Sequence, residues 1–401
     1  MYSISSSLWT KPDWLKEDLQ AEANHLGFSL FGVTAPVSPP HLAIFEGWLS
    51  AGRNGEMAYL ADDRSRYLRA DPRHILPACQ SILVLGMRYP RPAPYKPGPG
   101  SPGHGLVAAY AWGEDYHLVI PPRLAAMANR LEKIAGCPVT WRSYTDSGPV
   151  LEHEFAQLAG LGWTGKNTCM ISPSQGSYFV LAELLVDLEI QPDRPFEPDR
   201  CGSCNRCIKV CPTHCILSDR TLDASRCISY QTIENKGVIP LQMRPLIGNW
   251  VFGCDVCQQV CPWNRLATEN NEPHFDPLPG LPEPDLREEL NLTQADFSRK
   301  FKHSPIKRAR RTGYLRNVAV ALGNQKNSDA LADLAWMLEN EPEHLLRAHA
   351  AWAIGEIGGL TAMIILDQAS RREDNPDVSA EINLARQKTS SQGSHSSNPV
   401  S

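Results

Sequence analysis

Residues 201–212 of the chain read C-G-S-C-N-R-C-I-K-V-C-P, and residues 254–262 read C-D-V-C-Q-Q-V-C-P. The first run has the spacing of bacterial ferredoxins, in which three thiolates at i, i+3 and i+6 bind one iron–sulfur cluster and the cysteine before the proline reaches a neighbouring cluster. The sequence therefore predicts two 4Fe–4S clusters whose binding motifs exchange one ligand.

This exchange divides the cysteines into two predicted ligand sets. Cluster one takes Cys201, Cys204, Cys207 and Cys261. Cluster two takes Cys211, Cys227, Cys254 and Cys257. Cys227 fills a position that the second motif cannot supply, because that motif is one C-x-x-C step shorter than the first. Cys215 competes for the same position, since it follows Cys211 by four residues and both thiols would share one face of a helix.

Zinc sites and disulfides are the other common uses of so many cysteines. Zinc sites usually combine two C-x-x-C pairs instead of a triple that ends in C-P, and disulfides are not expected in a chain without a recognisable secretory signal. Cys79, Cys137 and Cys169 have no ligand spacing and are predicted to be small buried hydrophobic residues.

Composition indicates a folded globular protein of two or three domains. The chain has 401 residues, of which 42% are hydrophobic and 21% are charged. It contains no run of about 18 apolar residues that could span a bilayer. We expect a cytoplasmic protein, because a reducing compartment keeps the cluster thiolates free.

One stretch departs from the net charge of −5. Residues 297–327 contain no acidic residue, and eight lysines and arginines lie between residues 299 and 316. Clustered basic side chains are typical of phosphate contacts, so a nucleic-acid partner is predicted, with a merely solvated surface as the alternative. The residues predicted to bind nucleic acid are Lys307, Arg308, Arg310, Arg311 and Arg316.

The pattern of apolar residues predicts a multi-domain fold of the α+β or α/β class. A helix over residues 13–25 precedes buried strands at 28–33 and 81–87, helices around 123–135 and 148–159, and two strands at 177–181 and 184–190. Alternating elements of this kind predict an α/β first domain over residues 1–194.

The rest of the chain divides into three predicted segments. Residues 195–273 form a ferredoxin-like domain with too few apolar stretches for a core of its own, so the clusters are expected to organise it. Residues 285–387 contain two similar phrases, R-N-V-A-V-A-L-G-N and R-A-H-A-A-W-A-I-G-E-I-G, whose spacing is typical of HEAT-like helical repeats. The serine-rich residues 388–401 are expected to be disordered.

Three further motifs precede the cysteines in a characteristic order. The chain reads Y-A-W-G-E-D-Y-H at residues 110–117, Y-T-D-S-G-P-V-L-E at 144–152 and G-W-T-G-K-N-T at 162–168. Together with the cysteine framework and the helical tail, these motifs resemble the epoxyqueuosine reductase family over residues 15–384. The resemblance implies a cobalamin-dependent iron–sulfur oxidoreductase, related in its core to reductive dehalogenases, with an N-terminal cobalamin-binding domain. Such an enzyme reduces epoxyqueuosine to queuosine at the wobble position of tRNA anticodons, the last step of queuosine biosynthesis.

The resemblance implies that Asp146 is the catalytic acid. Reducing an epoxide to an alkene removes its oxygen as water, so a proton must reach that oxygen as the C–O bond breaks. A carboxyl group that donates at neutral pH needs a raised pKa, which burial beside the cofactor would provide. The alternative for Asp146 is a helix N-cap, a role that Ser147 could also fill.

The cobalamin contacts implied by matching positions are polar or backbone groups. They are Arg69, Asp146, Lys166, Asn167, Thr168, Ser229, Asp255 and Val256. The alternative for Arg69 is an ion pair with an aspartate at residue 62, 63 or 71. The loop with Asp115 and His117 lacks the glycine of the D-x-H-x-x-G motif, so we expect no histidine ligand to cobalt from it.

The partners that follow are a tRNA with a queuosine-type wobble base and an electron donor such as a flavodoxin or ferredoxin. No membrane is expected, and the protein is predicted to be a monomer. The alternative functions are a cobalamin-dependent reductive dehalogenase-like enzyme and a dicluster electron-transfer protein. The second alternative leaves some 190 residues before the insert without a purpose.

Overall fold

The computed structural model describes residues 13–94, 101–265 and 272–395. The strands are β1 (Leu30–Thr34), β2 (Ser81–Arg88), β3 (Leu106–Val107), β4 (Trp141–Tyr144), β5 (Trp163–Thr164), β6 (Met170–Ile171), β7 (Phe179–Val186) and β8 (Trp250–Phe252). The α-helices are α1 (Asp13–His25), α2 (Leu42–Ser50), α3 (Asp63–Ala70), α4 (Tyr116–Ala135), α5 (Glu152–Leu158), α6 (Arg206–Val210), α7 (Ile228–Ile233), α8 (Arg244–Ile247), α9 (Val256–Gln259), α10 (Leu286–Leu290), α11 (Gln294–Lys300), α12 (Arg310–Gln325), α13 (Leu331–Asn340), α14 (His344–Ile357), α15 (Gly359–Ala369) and α16 (Pro376–His395). Among these described helices, none combines the length and the apolar character needed to cross a membrane.

The N-terminal half is built on an antiparallel sheet with the strand order β1-β2-β7-β4. The two central strands, S-I-L-V-L-G-M-R and F-V-L-A-E-L-L-V, are apolar almost throughout because both faces of the sheet are covered. Helices α1 and α4 pack on one face and α5 packs on the other. Glu183 of β7 interrupts the apolar run and is 0% exposed.

Three predicted boundaries in this half are wrong, and one is confirmed. The helix predicted around 123–135 begins earlier, at Tyr116, because Asp115 caps it and accepts the His117 N–H. The predicted strands at 177–181 and 184–190 are one strand, because Ala182 and Glu183 continue the pairing with β2. The helix predicted from residue 148 begins at Glu152, since residues 145–151 form an irregular loop. The first helix has the predicted bounds and ends before Gly27, whose φ of 86° suits glycine.

The cysteine-rich region shares a hydrophobic core with the C-terminal helices. Val251 and Phe252 of β8 lie in the same buried cluster as Val318 and Leu322 of α12. Helix α14 lies against both α12 and α16 and extends this core towards the C-terminus. The apolar residues that are too sparse to form a core within the cysteine-rich region therefore find partners far along the chain, so the clusters are not its sole support.

The prediction of a disordered tail from residue 388 is wrong for its first part. Helix α16 continues to His395, and Thr389 is 5% exposed and donates its hydroxyl to the Ala385 carbonyl. The helix persists because Val378, Ile382 and Ala385 form a buried stripe at helical spacing. Residues 396–401 lie outside the described residues.

Candidate functional site

The four cysteines predicted for cluster one lie around one cavity. Its lining includes Cys201, Cys204, Cys207 and Cys261. Cys261 comes from the second motif, as the exchange of ligands in dicluster ferredoxins requires. The indole N–H of Trp163 donates to the Cys201 Sγ atom at 3.4 Å, and such bonds to sulfur stabilise a thiolate ligand.

The thiols near cluster two outnumber the four that a cluster requires. Cys227 interacts with both Cys254 and Cys257. The Cys215 Sγ atom lies 3.5 Å from the Cys211 Sγ atom and within hydrogen-bonding reach of Cys227. Cys215 therefore remains a competitor of Cys227, as its spacing predicts.

The start of α7 gives Cys227 the surroundings of a ligand. The backbone N–H groups of Ser229 and Tyr230 point at its thiol. N–H groups directed at sulfur favour the thiolate that binds iron. Ser229, one of the implied cobalamin contacts, thus faces the cluster-two side of this turn.

The three cysteines without ligand spacing have different environments. Cys79 is buried, as predicted. Cys137, just beyond the end of α4, is exposed, so its predicted burial is wrong. Cys169 follows the G-K-N-T turn, is half-buried and lies within hydrogen-bonding reach of Cys257.

The hairpin of β5 and β6 carries the G-K-N-T turn to the cluster-one cavity. The Lys166 Nζ atom donates to the carbonyl oxygens of Gly202 at 2.6 Å and Cys204 at 3.0 Å. Asn167 is 4% exposed, and its Nδ2 atom has no hydrogen-bond partner within the described ranges. Thr168 has a φ of 64° and completes the turn. The Lys166 ammonium therefore holds the first cysteine loop, whereas the Asn167 amide has an unused donor.

Asp146 lies in the loop between β4 and α5. Its φ of 57° is in the left-handed region, which a residue other than glycine adopts at an energetic cost. Gly148 allows the loop to fold back tightly, because a Cβ atom there would lie 2.3 Å from the ring of Tyr144. The T-D-S-G-P sequence thus forms a strained loop that presents the Asp146 side chain.

The N-cap alternative for Asp146 is not what the structure contains. The N-cap of α5 is Leu151, which makes no side-chain capping bond, so neither Asp146 nor Ser147 fills that role. The Asp146 side chain is 67% exposed. The burial that the resemblance implies is therefore absent from the protein alone and would have to come from a bound group.

A line of polar contacts connects Asp146 to the basic stretch. The Tyr116 hydroxyl donates to Asp146 Oδ2 at 2.6 Å, and the His117 Nε2 atom lies 3.9 Å from the same oxygen. The other ring nitrogen of His117 lies 2.8 Å from an oxygen of Asp115, whose second oxygen lies 3.0 Å from the Lys307 Nζ atom. Burial opposes ionisation of Asp115, but the bonds from His117 and Lys307 outweigh it and lower its pKa to about 2.

Two carboxyl groups close to Asp146 were not predicted from the sequence. Glu152 of α5 accepts a hydrogen bond from the Asp146 backbone N–H at 2.6 Å. The Glu152 carboxyl lies within hydrogen-bonding reach of Glu183, the buried residue of β7. The sequence does carry a signal for Glu183, because an acidic residue there interrupts an otherwise apolar strand.

Arg69 has the environment of a binding residue and not of a surface ion pair. It is 8% exposed, and its Nη1 atom has no hydrogen-bond partner in the parts of the chain that the structure describes. Asp62 accepts from the Ser65 N–H, and Asp71 is paired with Arg73. The alternative pairing of Arg69 is thus not observed among the described residues, and a buried donor remains available.

Asp255 and Val256, two further implied cobalamin contacts, support the fold. The Asp255 side chain is 2% exposed and accepts the Ala109 N–H at 2.7 Å, which joins the first domain to the second cysteine motif. Val256 is 3% exposed and belongs to the shared core.

Three of the predicted nucleic-acid contacts are exposed. They are Lys307, Arg308 and Arg310. Arg308 is paired with Glu234 through two N–O contacts of 3.0 Å. Arg310 begins α12 with a φ of 60°.

The side chains of the other two predicted contacts form hydrogen bonds or ion pairs within the protein. Arg316 is 0% exposed and donates to the carbonyl oxygens of Gln231 at 2.6 Å, Asn235 at 2.9 Å and Gly237 at 2.6 Å. Arg311 is held by Glu341 and the Leu292 carbonyl. Arg316 is therefore unavailable to phosphate, because leaving its position would deprive the carbonyls of the buried residues Gln231 and Asn235 of their donor.

Lys236 joins the exposed basic residues from a distant part of the chain. Its Nζ atom donates to the Arg308 carbonyl at 2.6 Å. Burial, together with the charges of Arg308 and Arg310, lowers the pKa of Lys236 to about 8. No charge run in the sequence marks this residue.

Family models match three parts of the chain. Residues 69–147 match "Epoxyqueuosine reductase QueG, DUF1730", residues 200–264 match "4Fe-4S double cluster binding domain" and residues 309–385 match "HEAT repeats". The second match confirms the two 4Fe–4S clusters that the cysteine spacing predicts, and the third confirms the helical repeats.

Similar proteins cover nearly the whole chain. The epoxyqueuosine reductase of Pseudomonas aeruginosa is 39% identical over 86% of this chain and 96% of its own length, and that of Escherichia coli is 38% identical over 82% and 86%. A crystal structure of epoxyqueuosine reductase with an epoxyqueuosine-modified tRNA-Tyr stem loop has a TM-score of 0.85 at 29% identity and covers 94% of this chain and 99% of that one. The Bacillus subtilis structure with its catalytic aspartate loop swung out of the active site has a TM-score of 0.83 at 29% identity and the same coverage. The chain belongs to the epoxyqueuosine reductase family.

Proposed function

We propose that this protein reduces epoxyqueuosine to queuosine in the anticodon of tRNA. The observation that carries the proposal is the similarity to curated epoxyqueuosine reductases over more than four-fifths of the chain. The test is turnover of epoxyqueuosine-containing tRNA, with the nucleoside products identified by mass. Appearance of queuosine is the expected result.

The reaction defines what the site must provide. Converting the epoxide to an alkene and water consumes two electrons and two protons. Asp146 donates one proton to the epoxide oxygen as the C–O bond breaks, and solvent supplies the second proton that completes the water molecule. The Tyr116 hydroxyl then stabilises the Asp146 carboxylate through its bond to Oδ2. The wobble base has to leave its stack to reach Asp146, which the anticodon loop permits. In line with the relative whose loop is swung out, the loop at residues 145–151 moves between two positions.

The electrons enter through the cysteine-rich region. Held by the predicted cysteine ligands, the two 4Fe–4S clusters would supply single-electron transfer from a low-potential donor of the flavodoxin or ferredoxin type. The proposal includes a cytoplasmic location, because reducing conditions preserve the thiolates. It also includes a monomeric enzyme.

Cobalamin fits the donors that the fold leaves unused. The Arg69 Nη1 and Asn167 Nδ2 atoms are buried and unpartnered in the described residues, and both can donate to the amide or phosphate oxygens of a corrinoid. When bound, cobalamin in its reduced form supplies the nucleophile or electron donor that opens the epoxide. The exposed carboxyl of Asp146 then gains the cover that it lacks in the protein alone.

Replacing Arg69 by methionine is expected to weaken cobalamin binding by about 10- to 100-fold, since a hydrogen bond from a charged donor contributes roughly 1.5–3 kcal/mol. Methionine keeps the packing of the side-chain stem. The affinity is measured by visible absorption as the cofactor-free protein is titrated with cobalamin. Arg73→Met, which removes a nearby exposed charge, is the matched control and should bind normally. Equal affinities in both variants would refute the role of Arg69.

We propose that the tRNA backbone binds to the basic patch formed by Lys236, Lys307, Arg308 and Arg310. All four lie close to the polar line that ends at Asp146, since Lys307 contacts Asp115 and Lys236 contacts Arg308. Phosphate recognition depends on such clustered charges. Arg311 and Arg316 are left out of the patch because their engaged side chains are only 15% and 0% exposed, whereas that of Arg308 is 56% exposed although it pairs with Glu234.

The double variant Arg308→Ala/Arg310→Ala is expected to bind tRNA more weakly and with a smaller salt dependence, by about one unit of slope for each phosphate group that is no longer bound. Affinity is measured at several salt concentrations, with iron and cobalamin contents recorded in parallel. The control is Arg371→Ala/Arg372→Ala, which removes the same charge beyond α15. If both double variants show the wild-type slope, the patch is not the tRNA-binding surface.

A further inference from the structure

The buried carboxyl of Glu183 receives no N–H or O–H bond from the described part of the chain. The side chain is 0% exposed, and both of its oxygens lack a conventional donor there. The neighbour within hydrogen-bonding reach is the carboxyl of Glu152. Two ionised carboxylates in contact repel each other, so the contact between Glu152 and Glu183 is favourable when the pair shares a proton.

The surroundings of the pair favour retention of that proton. Burial raises the pKa of Glu152 to about 8 and that of Glu183 well above the ordinary carboxyl value, and the Asp146 charge adds to both shifts. Arg69 opposes the shift of Glu152 but does not cancel it. Tyr116, which interacts with Glu152, stays neutral because burial raises its pKa. The pair is therefore not doubly ionised at neutral pH.

Glu152 is also attached directly to the catalytic loop. Its Oε1 atom accepts the Asp146 backbone N–H at 2.6 Å, while the Tyr116 hydroxyl holds the Asp146 side chain. The left-handed φ of 57° at Asp146 is strained for a residue with a Cβ atom, so it needs such anchors to persist.

We propose that Glu152, supported by a proton shared with Glu183, is the positioning residue that holds the Asp146 loop in its inward position. The inference rests on the proposed role of Asp146 as the acid. Glu152 touches neither substrate nor cofactor in this role. It acts through the backbone of Asp146.

The first test compares Glu152→Ala with Glu152→Gln. The alanine variant loses the acceptor for the Asp146 N–H, and kcat should fall by about 100-fold, a typical effect of a misplaced catalytic group, with the KM for tRNA unchanged. The glutamine variant keeps an oxygen for the Asp146 N–H and an amide donor for Glu183, so it should recover most of the loss. Glu154→Gln, on the same helix but paired with His41, is the matched control.

The second test needs no turnover. Hydrogen exchange of the peptide covering residues 144–151, measured by mass spectrometry without substrate, should be faster in Glu152→Ala and close to wild type in Glu152→Gln. This measurement also detects a variant that has lost its fold, because exchange would then rise in all peptides.

The third test uses pH. Loss of the first proton, for which the pKa of Glu152 is about 8, leaves one proton shared by the pair, and the Glu152 oxygen still accepts the Asp146 N–H. The contribution of the pair is lost when the second proton leaves at higher pH. Loop exchange in the wild type should therefore stay low through pH 8 and rise above it, whereas Glu183→Gln, whose amide cannot ionise, should not show this rise.

Asp146→Asn, assayed in parallel, tests the acid role of Asp146 separately from the positioning role of Glu152. Full activity of Asp146→Asn would overturn the acid role itself, whatever Glu152 does. A nearly inactive Asp146→Asn together with normal kcat and normal loop exchange in Glu152→Ala would overturn the positioning role alone.

Discussion

Asp146→Asn is expected to lower kcat for epoxyqueuosine reduction by about 10²–10⁴-fold, the range that general acid catalysis supplies. The asparagine amide has nearly the same shape but cannot transfer a proton to the epoxide oxygen. The Tyr116 hydroxyl can still donate to the amide oxygen, so the loop should keep its conformation. Single-turnover formation of queuosine, followed by mass, measures the effect.

The control for this variant is Ser147→Ala, the neighbouring residue that does not cap α5. It should retain wild-type turnover. Iron content and tRNA affinity should be the same in Asp146→Asn and the wild type, because the Asp146 carboxylate is bonded to Tyr116 and takes no part in holding the clusters or the RNA backbone. Full turnover by Asp146→Asn would remove this residue from the mechanism.

Cys227→Ala is expected to reduce the iron content from about eight to about four atoms per chain, because loss of one thiolate opens the second 4Fe–4S cluster. Cys215→Ala should keep the full content. The two thiols lie close together, but it is Cys227 that reaches Cys254 and Cys257 and receives two backbone N–H groups at the start of α7. Iron and acid-labile sulfide are determined on anaerobically prepared protein.

The opposite pattern, with full iron in Cys227→Ala and about half in Cys215→Ala, would reassign the fourth ligand to Cys215. A loss in both variants would mean that Cys215 is needed to fold the site. Cys137→Ala, which changes an exposed thiol far from the motifs in sequence, controls for the effect of removing any cysteine.

Local patterns were sufficient for several of these conclusions. The C-x-x-C-x-x-C-x-x-x-C-P spacing predicts both clusters, because thiolates so closely spaced can reach one metal centre without knowledge of the rest of the fold. The bounds of α1 also follow from local signals, namely apolar spacing and the terminal Gly27. The basic stretch at 299–316 likewise leads to the proposal of a polyanion-binding surface, which stays a prediction.

Other conclusions depend on residues far apart in the chain. Arg316 belongs to the same basic run as Arg308, but it points inward to the carbonyls of α7 and its following turn, whereas Lys236 lies outside the run and joins the exposed patch. The sequence shows charge but not the direction of a side chain, which is set by packing around α12.

Short motifs and similarity along the chain were enough to establish the two 4Fe–4S clusters, the helical repeats and the family. Only folding shows that Glu183 of a central strand meets Glu152 of α5 behind Asp146, and that Arg69 keeps an unused buried donor among the described residues. Motifs cannot reveal such features, because the pKa of a carboxyl group and the availability of a donor depend on burial and on neighbours that are distant in the chain.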